Sequence, residues 1–465
     1  MSVLTEPRPL PPLAELPHDG RRRVWGWWAF DWASQPYNTL LLTFIFGPYV
    51  NELLGDGTAA QTAWGYGVGA AGLVIALSAP FLGAVADLSG RRMPFIWLFS
   101  VFYVIGAWGL WFAAPGDFNL ILILVLFAIG LIGMEFATIF TNALLPTICN
   151  RDDMGRVSGS GFAFGYLGGF VSLAAMLLLF AENAETGKTL IGLDPALGLD
   201  ASAREGTRAV GPLTAIWFAV AMIPFFLWVR DPRPVGAIPV GRAIARAWPE
   251  LKSTLRALPG DRSLFAYLAS SMFYRDALNG MYVFGGIYAA GVLGWSVVDV
   301  GIFGILAVLT GAFFAWLGGR ADSRFGPKPV IVFNVLLLTL VAICVVFVGR
   351  DSVFGIAVTP ESRLPDIAFY VLGALIGAGG GALQSASRTM MVRQARADRM
   401  TEGFGLYALA GKATSFIAPL SIGVVTQATG SQQLGVTPLI VLFAIGLVLL
   451  IWVHPEGRRH PEVPA

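Results

Sequence analysis

The sequence predicts an all-α membrane protein of twelve transmembrane helices in two six-helix bundles, with both termini in the cytosol. Three observations lead there. Of 465 residues, 56% are hydrophobic and 13% charged, with a mean hydropathy of +0.69, against about 25% charged in soluble domains. Apolar runs near the roughly 20 residues that cross a hydrocarbon core recur twelve times, centred near residues 38, 74, 103, 131, 168, 220, 277, 307, 339, 378, 415 and 444. With the N-terminus inside, cytosolic segments hold 24 of the 31 Lys and Arg, outer segments hold five, and Arg275 and Lys412 fall within spans; this is the asymmetry that orients membrane helices.

The elements follow in order. Residues 1–24 are proline-rich and polar, with Arg21 to Arg23, and lack the apolar core and cleavage site of a secretory signal, so they read as a cytosolic tail. Residues 25–229 hold six spans, broken at turn-like stretches such as 114–119 and at the polar segment 182–211. In the cytosolic linker 230–262, Ile244, Trp248, Leu251, Leu255 and Leu258 form a helical stripe with Arg242, Arg246 and Arg256 off it. That pattern suits a helix lying on the membrane surface and equally a solvated linker helix. Residues 263–453 hold six more spans, and 454–465 form a second cytosolic tail.

Several chemistries drop out. His18, His454 and His460 all lie in terminal segments, so no histidine relay crosses the membrane. Cys149 and Cys344 fall on different spans and in no ligand spacing, which supports neither a disulfide framework nor a metal site. No cofactor is expected, and the net charge of +2 reflects orientation rather than nucleic-acid binding. Without an ATPase motif or paired cysteines, no enzyme constellation remains.

The first span contains "FDWASQPYNTL". Asp31, Ser34, Gln35 and Asn38 recur there at i, i+3, i+4 and i+7, one polar stripe on a helix. A charge near the bilayer centre costs at least about 2.5 kcal/mol, so such residues face protein or water. The fourth span adds Glu135, Thr138 and Asn142; the seventh Arg275, Asp276 and Asn279; the tenth Gln384, Ser387 and Arg388; the eleventh Lys412. With Arg388 counted among the loop arginines, three acids face two bases and one carboxyl is left over, assigned to Glu135 in mid-span. Neighbouring residues on a helix point apart, so Arg275 and Asp276 seek partners elsewhere; Asp31 with Arg275, and Glu135 with Lys412 in one state, are the expected pairs. Fixed ion pairs that only lock the bundle are the plainer alternative. Gly65, Gly69 and Gly72, and Gly161, Gly165 and Gly169, form small-residue ridges for close helix packing.

The halves echo each other. "LIGMEFATIF" (131–140) aligns with "LIGAGGGALQ" (375–384), and "GAVADLSGRR" (83–92) with "GGRADSRFGPK" (318–328), as in transporters built from parallel repeats. The motif Gly83, Asp87, Gly90, Arg91, Arg92 resembles the signature between the second and third helices of the major facilitator superfamily, with Asp322, Arg324 and Gly326 as its second copy. Leu88 stands at an often basic place, and the second copy has one extra residue. The resemblance implies a gate in which Asp87 holds a facing helix N-terminus and the arginines bind carboxylates or phosphates; a plain tight turn is the alternative. "FDWASQPYNTL" with Pro48 and Tyr49, and "SGSGFAFGYLGG" (158–169), resemble the branch containing the autophagy-related vacuolar amino-acid effluxers of fungi and their bacterial relatives.

That resemblance implies a major facilitator fold whose first, fourth, seventh and tenth helices line a cavity. Asp31, Gln35, Asn38, Glu135, Asn142, Arg275, Asp276, Asn279, Gln384 and Lys412 are then the substrate and coupling positions. The implied activity is alternating-access transport of a small polar or zwitterionic solute, amino-acid-like and outward, coupled to protons. The expected partners are that solute, protons and the lipid bilayer, with the chain as a monomer. An excess of Arg over Lys, 27 to 4, and the lack of Asn-x-Ser/Thr acceptors fit a bacterial inner membrane. A non-transporting accessory or receptor and a lipid flippase are the rival readings.

Overall fold

A computed structural model describes residues 10–55, 57–231, 236–295, 297–359 and 361–457. The outer parts of both expected tails, 1–9 and 458–465, and linker residues 232–235 lie outside these. In hydrocarbon every backbone polar group must be satisfied within its own segment, and the apolar runs are accordingly helical. They are α1 (His18–Pro36), α2 (Gly57–Ser89), α3 (Met93–Gly109), α4 (Leu120–Ala143), α5 (Met154–Ala175) and α6 (Glu205–Trp228). After the linker come α7 (Arg262–Leu293), α8 (Val297–Phe325), α9 (Pro327–Val346), α10 (Leu364–Gln394), α11 (Ala397–Thr429) and α12 (Gln432–Trp452). Among the described residues ten stretches are long and apolar enough to cross a membrane. The two expected spans outside that group, α1 and α7, have the length but carry the polar stripes. α1 starts at His18, inside the expected tail, and Arg23 Nη2 donates to the Thr147 carbonyl at 2.9 Å.

Pro36 and Pro419 each break a helix. Pro36 has no amide for the Trp32 carbonyl four residues back; Trp217 Nε1 of α6 donates to that carbonyl instead, at 3.1 Å, and beyond Pro36 the chain widens into a π-helical turn, Tyr37–Phe44. In α11, Pro419 does the same to the Ser415 carbonyl, and the helix stops at Ala413 and restarts at Ile417.

Helices α1–α6 pack on one another, as do α7–α12, and the groups meet where glycines let backbones touch. A Cβ on Gly83 of α2 would lie 2.6 Å from the Thr401 carbonyl of α11, and one on Gly405 would lie 2.6 Å from the Ala79 carbonyl. Between α5 and α8, a Cβ on Gly159 would lie 2.6 Å from Gly319 Cα. Of the expected ridges, Gly161, Gly165 and Gly169 pack on α1, whereas nothing lies within 4 Å of where a Cβ would sit on Gly65, Gly69 or Gly72. These close contacts lie toward the end of the molecule that carries the α2–α3, α4–α5, α8–α9 and α10–α11 turns, called here the basic face.

The linker forms a helix, Val240–Ala257, against the basic-face end of α2. Its buried side is Ala243, Ala247 and Leu251, with the two alanines against Ala84 and Val85, while Ile244, Trp248 and Leu255 are exposed. The expected stripe is therefore split: Leu251 turns inward with Ala243 and Ala247, which lie off the stripe, while Ile244, Trp248 and Leu255 point away. Arg399 Nη2 in the first turn of α11 reaches Glu250 of this helix at 2.5 Å and Nη1 reaches Thr254 at 2.6 Å. On the opposite face the polar segment folds down, Arg204 binding Glu182 at 3.0 Å and Glu52 at 2.7 Å.

Contacts within a group and between groups should respond differently to an added methyl. In Gly106→Ala of α3 the Cβ would lie 2.6 Å from the Leu126 carbonyl of α4, so thermal unfolding should show destabilisation by about 1–3 kcal/mol. Gly83→Ala should unfold nearly as wild type but raise the reactivity of a cysteine placed at Ala79, because α2 and α11 separate; unchanged reactivity would contradict this.

Candidate functional site

Four layers of polar side chains join the two groups, counted from the basic face inward. The outermost is centred on Asp87. Its Oδ2 accepts the Glu402 amide at 2.8 Å in the first turn of the Met400–Ala413 segment of α11, and its Oδ1 accepts from Thr401 Oγ1 at 2.6 Å and Arg92 Nη2 at 3.0 Å. This is the carboxylate at a helix N-terminus that the motif implied. Gly90, at φ 58°, makes the turn that carries Arg92 back onto it; Arg91 is exposed. The second copy is built otherwise. Asp322 accepts from Thr389 Oγ1 of its own group, and the bond to α5 comes from its neighbour, Ser323 Oγ accepting the Arg156 amide at 3.0 Å. Gly326, at φ 83°, forms the turn and Arg324 is exposed.

The second layer is Arg388 of α10. Its Nη1 donates to Asp31 Oδ2 at 3.0 Å and to Asn142 Oδ1 at 3.2 Å, and its Nε donates to Ser158 Oγ at 3.1 Å. The guanidinium lies 4.7 Å from the Trp27 ring centroid and 4.0 Å from that of Phe162. Asp31 therefore pairs with Arg388 and not with Arg275. Sequence reasoning assigned Arg388 to the loop arginines because it is followed by Arg393, Arg396 and Arg399. It is one helical turn from Gln384, on the same face, and that spacing was the available signal. With Arg388 inside, three acids meet three bases and the simple surplus of one carboxyl disappears.

The third layer holds Gln384 Nε2 donating to the Tyr166 hydroxyl at 2.9 Å, and Arg275, whose Nη1 donates to the Tyr407 carbonyl at 3.1 Å with its guanidinium 4.1 Å from the Tyr407 ring centroid. Among the described residues no carboxylate is within salt-bridge distance of Arg275. Tyr166 and Tyr407, like Trp27 and Phe162, gave no sequence signal beyond being aromatic in a membrane helix.

In the fourth layer Lys412 Nζ meets Glu135 Oε1 at 2.7 Å, across the two groups. Glu135 is thus not the unpaired carboxyl. The side chains of Glu135 and Lys412 are 23% and 30% exposed, whereas Arg388 is 4% exposed. Glu135 stands two turns, about 10 Å, from Asn142 on α4. The Glu135–Lys412 pair is thus partly exposed, while the Arg388 layer on its basic-face side is buried. Asn279 is exposed, Asn38 lies 4.0 Å from Met134 Sδ, and Gln35 packs where a Cβ on Gly169 would sit. Asp276 points instead into the α7–α11 contact, accepting the Ala418 amide at 3.0 Å. Two cavities of about 420 Å³ lie away from the pair, one lined by Trp295, Arg350 and Asp366 and the other apolar, between α8 and α10.

A family model described as "Vacuole effluxer Atg22 like" matches residues 63–461. An uncharacterized MFS-type transporter of Bacillus subtilis, YxiO, is 25% identical over 92% of this chain and 94% of its own. Autophagy-related protein 22 of Cryptococcus neoformans is 25% identical over 65% of this chain, which spans about half the length of that relative, 51%. Among solved structures, a bacterial homologue of the iron transporter ferroportin in an outward-facing state superposes with a TM-score of 0.68 at 13% identity, over 94% of this chain and 99% of that one. The proton:xylose symporter XylE gives 0.65 at 12% identity, over 93% and 94%.

Removing either partner of the Asp31–Arg388 pair leaves a buried charge unanswered, which costs about 3–5 kcal/mol in such sites. Asp31→Asn and Arg388→Met should each lower thermal stability markedly, and the double variant should lose less than the sum of the two. Additive losses would mean that the pair carries no coupling. Asp31→Asn with Arg275→Met should be additive within about 0.5 kcal/mol.

Proposed function

The chain belongs to the Atg22-like effluxer family of major facilitator transporters, a multi-pass membrane protein and not an enzyme, and from that premise we propose that it exports an amino-acid-like zwitterion by alternating access, coupled to protons. In this reading α1 and α7 also cross the bilayer, making twelve spans in two bundles, residues 25–229 and 263–453. Both tails and the basic face are cytosolic, and the protein works as a monomer in a bacterial inner membrane. Closure at Asp87 and Arg388 with access from the opposite side then corresponds to an outward-facing state.

The Glu135–Lys412 pair carries the reading. It joins one acid and one base across the moving groups, above a buried layer and still in reach of water. A zwitterion can replace each partner of that pair with its own charge, ammonium to Glu135 and carboxylate to Lys412, so binding breaks a cross-bundle bond while leaving every charge paired. Arg275, stacked on Tyr407, and the exposed Asn279 complete the polar rim. For an accessory or receptor protein an apolar, plugged cavity would be expected, and the acid–base pair argues against it.

The test is a thermal-shift screen of purified protein against the proteinogenic amino acids, since a ligand that binds only the folded state raises its apparent stability. A saturable shift is expected for at least one. Losing one charge-assisted bond of about 1.5–3 kcal/mol should weaken that ligand in Glu135→Gln by roughly ten- to hundredfold, and solute exchange in proteoliposomes should fall with it. If Glu135 carries the proton instead, the variant will exchange solute normally and fail only in proton-driven accumulation. Full accumulation would remove Glu135 from both roles.

A further inference from the structure

The solute site leaves one buried acid unused. Asp276 is 3% exposed, its Oδ2 holds the Ala418 amide at 3.0 Å, and its Oδ1 has no hydrogen-bond partner among the described residues. The amide is available because of Pro419. In a continuous helix Ala418 would donate to the Thr414 carbonyl, but the break that Pro419 imposes on Ser415 leaves Ile417 donating to Thr414, at 2.8 Å, and the Ala418 amide free. Asp276 caps the restarted helix from across the α7–α11 contact.

No cation answers this carboxylate. Arg275, next to it on α7, points to Tyr407. The Ile417–Thr429 segment and α12 contain no ionisable residue. The Met400–Ala413 segment brings Tyr407, under Arg275, and Lys412, held by Glu135; α10 brings Arg388, held by Asp31. From α8 and α9, Asp322 is bonded to Thr389 and Lys328 donates to the Val453 carbonyl at 2.7 Å, both toward the basic face.

We propose that Asp276 is a proton-binding site that sets the stiffness of the break in α11, and through it the hold between the two groups. The proposal rests on the alternating-access reading. Ser415 and Phe416, in the turn beside Asp276, lie at the surface of the molecule. A proton from solvent bonds to Oδ1 and the carboxylate becomes a neutral acid; nothing else is exchanged. The Ala418 amide then keeps only a neutral acceptor, which is the weaker kind. The end that is loosened is the start of Ile417–Thr429, and across the break the Met400–Ala413 segment carries both Glu402 on Asp87 and Lys412 on Glu135. Proton binding therefore favours the state in which these bonds are open.

The test is a distance measurement by pulsed electron paramagnetic resonance on full-length protein, with nitroxides at Asp152→Cys and Ala397→Cys, exposed positions on the basic face of opposite groups, and with Cys149 and Cys344 replaced by alanine. Between about pH 8 and pH 5.5 the longer distance should grow, by up to about tenfold in population ratio per pH unit for one proton. Asp276→Asn should hold the long component at every pH. A mere cap predicts the opposite, since Asn still accepts from Ala418: an Asp276→Asn protein with the parent's pH response overturns the proposal. So does a parent that populates both distances in proportions indifferent to pH. One fixed distance under every pH and every amino acid would instead defeat alternating access itself. Should Asp276→Asn not fold, Pro419→Ala serves, because it lets Ala418 return to Thr414 and deprives the carboxylate of its donor; the transition should move to higher pH, and an unmoved midpoint overturns the proposal.

Discussion

Every charge placed in the hydrocarbon layer must be answered there, and the architecture follows from how this chain does it. A lone guanidinium in lipid costs several kcal/mol. Arg388 is answered from three helices of the other group, by Asp31 of α1, Asn142 of α4 and Ser158 of α5, between the rings of Trp27 and Phe162. Those partners are all on α1–α6, so satisfying one side chain aligns the two groups. The pair of bundles is closed by a solvation requirement as much as by shape.

Around that layer the contacts divide by type. The seams α2–α11 and α5–α8 are made by backbones brought close at Gly83, Gly405, Gly159 and Gly319, and small-residue contacts of this kind have no directional bond to break. The bonds that do have direction, at Asp87, Arg388 and Lys412, sit at three depths between the seams. Close sliding surfaces with a few strong polar contacts suit two stable arrangements better than a continuum.

The sequence was legible where one residue type suffices to fix a role. Composition and arginine asymmetry pointed to a polytopic membrane chain, the polar stripes marked α1, α4, α7, α10 and α11, and the motif at Gly83 to Arg92 announced its carboxylate at a helix N-terminus. What was not legible was which charge meets which. Asp31 has the same helical spacing whether its partner is Arg275 or Arg388, and only the packing of α1 and α10 on α5 decides. Asp322 copies Asp87 in sequence but finds Thr389, which lies on its own side, so a repeat in residues is not a repeat in bonds. The same limit applies to the linker, where the bulky residues Ile244 to Leu258 read as one stripe, whereas α2 takes the neighbouring alanines, Ala243 and Ala247.

Pro36 and Pro419 carry no signal in the sequence beyond being prolines in apolar spans, yet the breaks they make differ in kind. At Pro36 the orphaned carbonyl of Trp32 is held by Trp217, a neutral indole that does not titrate. At Pro419 the freed group is an amide, held by an acid. The first joint is riveted, the second is tempered by its surroundings. The compliance of one joint thus rests on a neutral ring and that of the other on a carboxylate, so of the two only the second can answer to the charge of its surroundings.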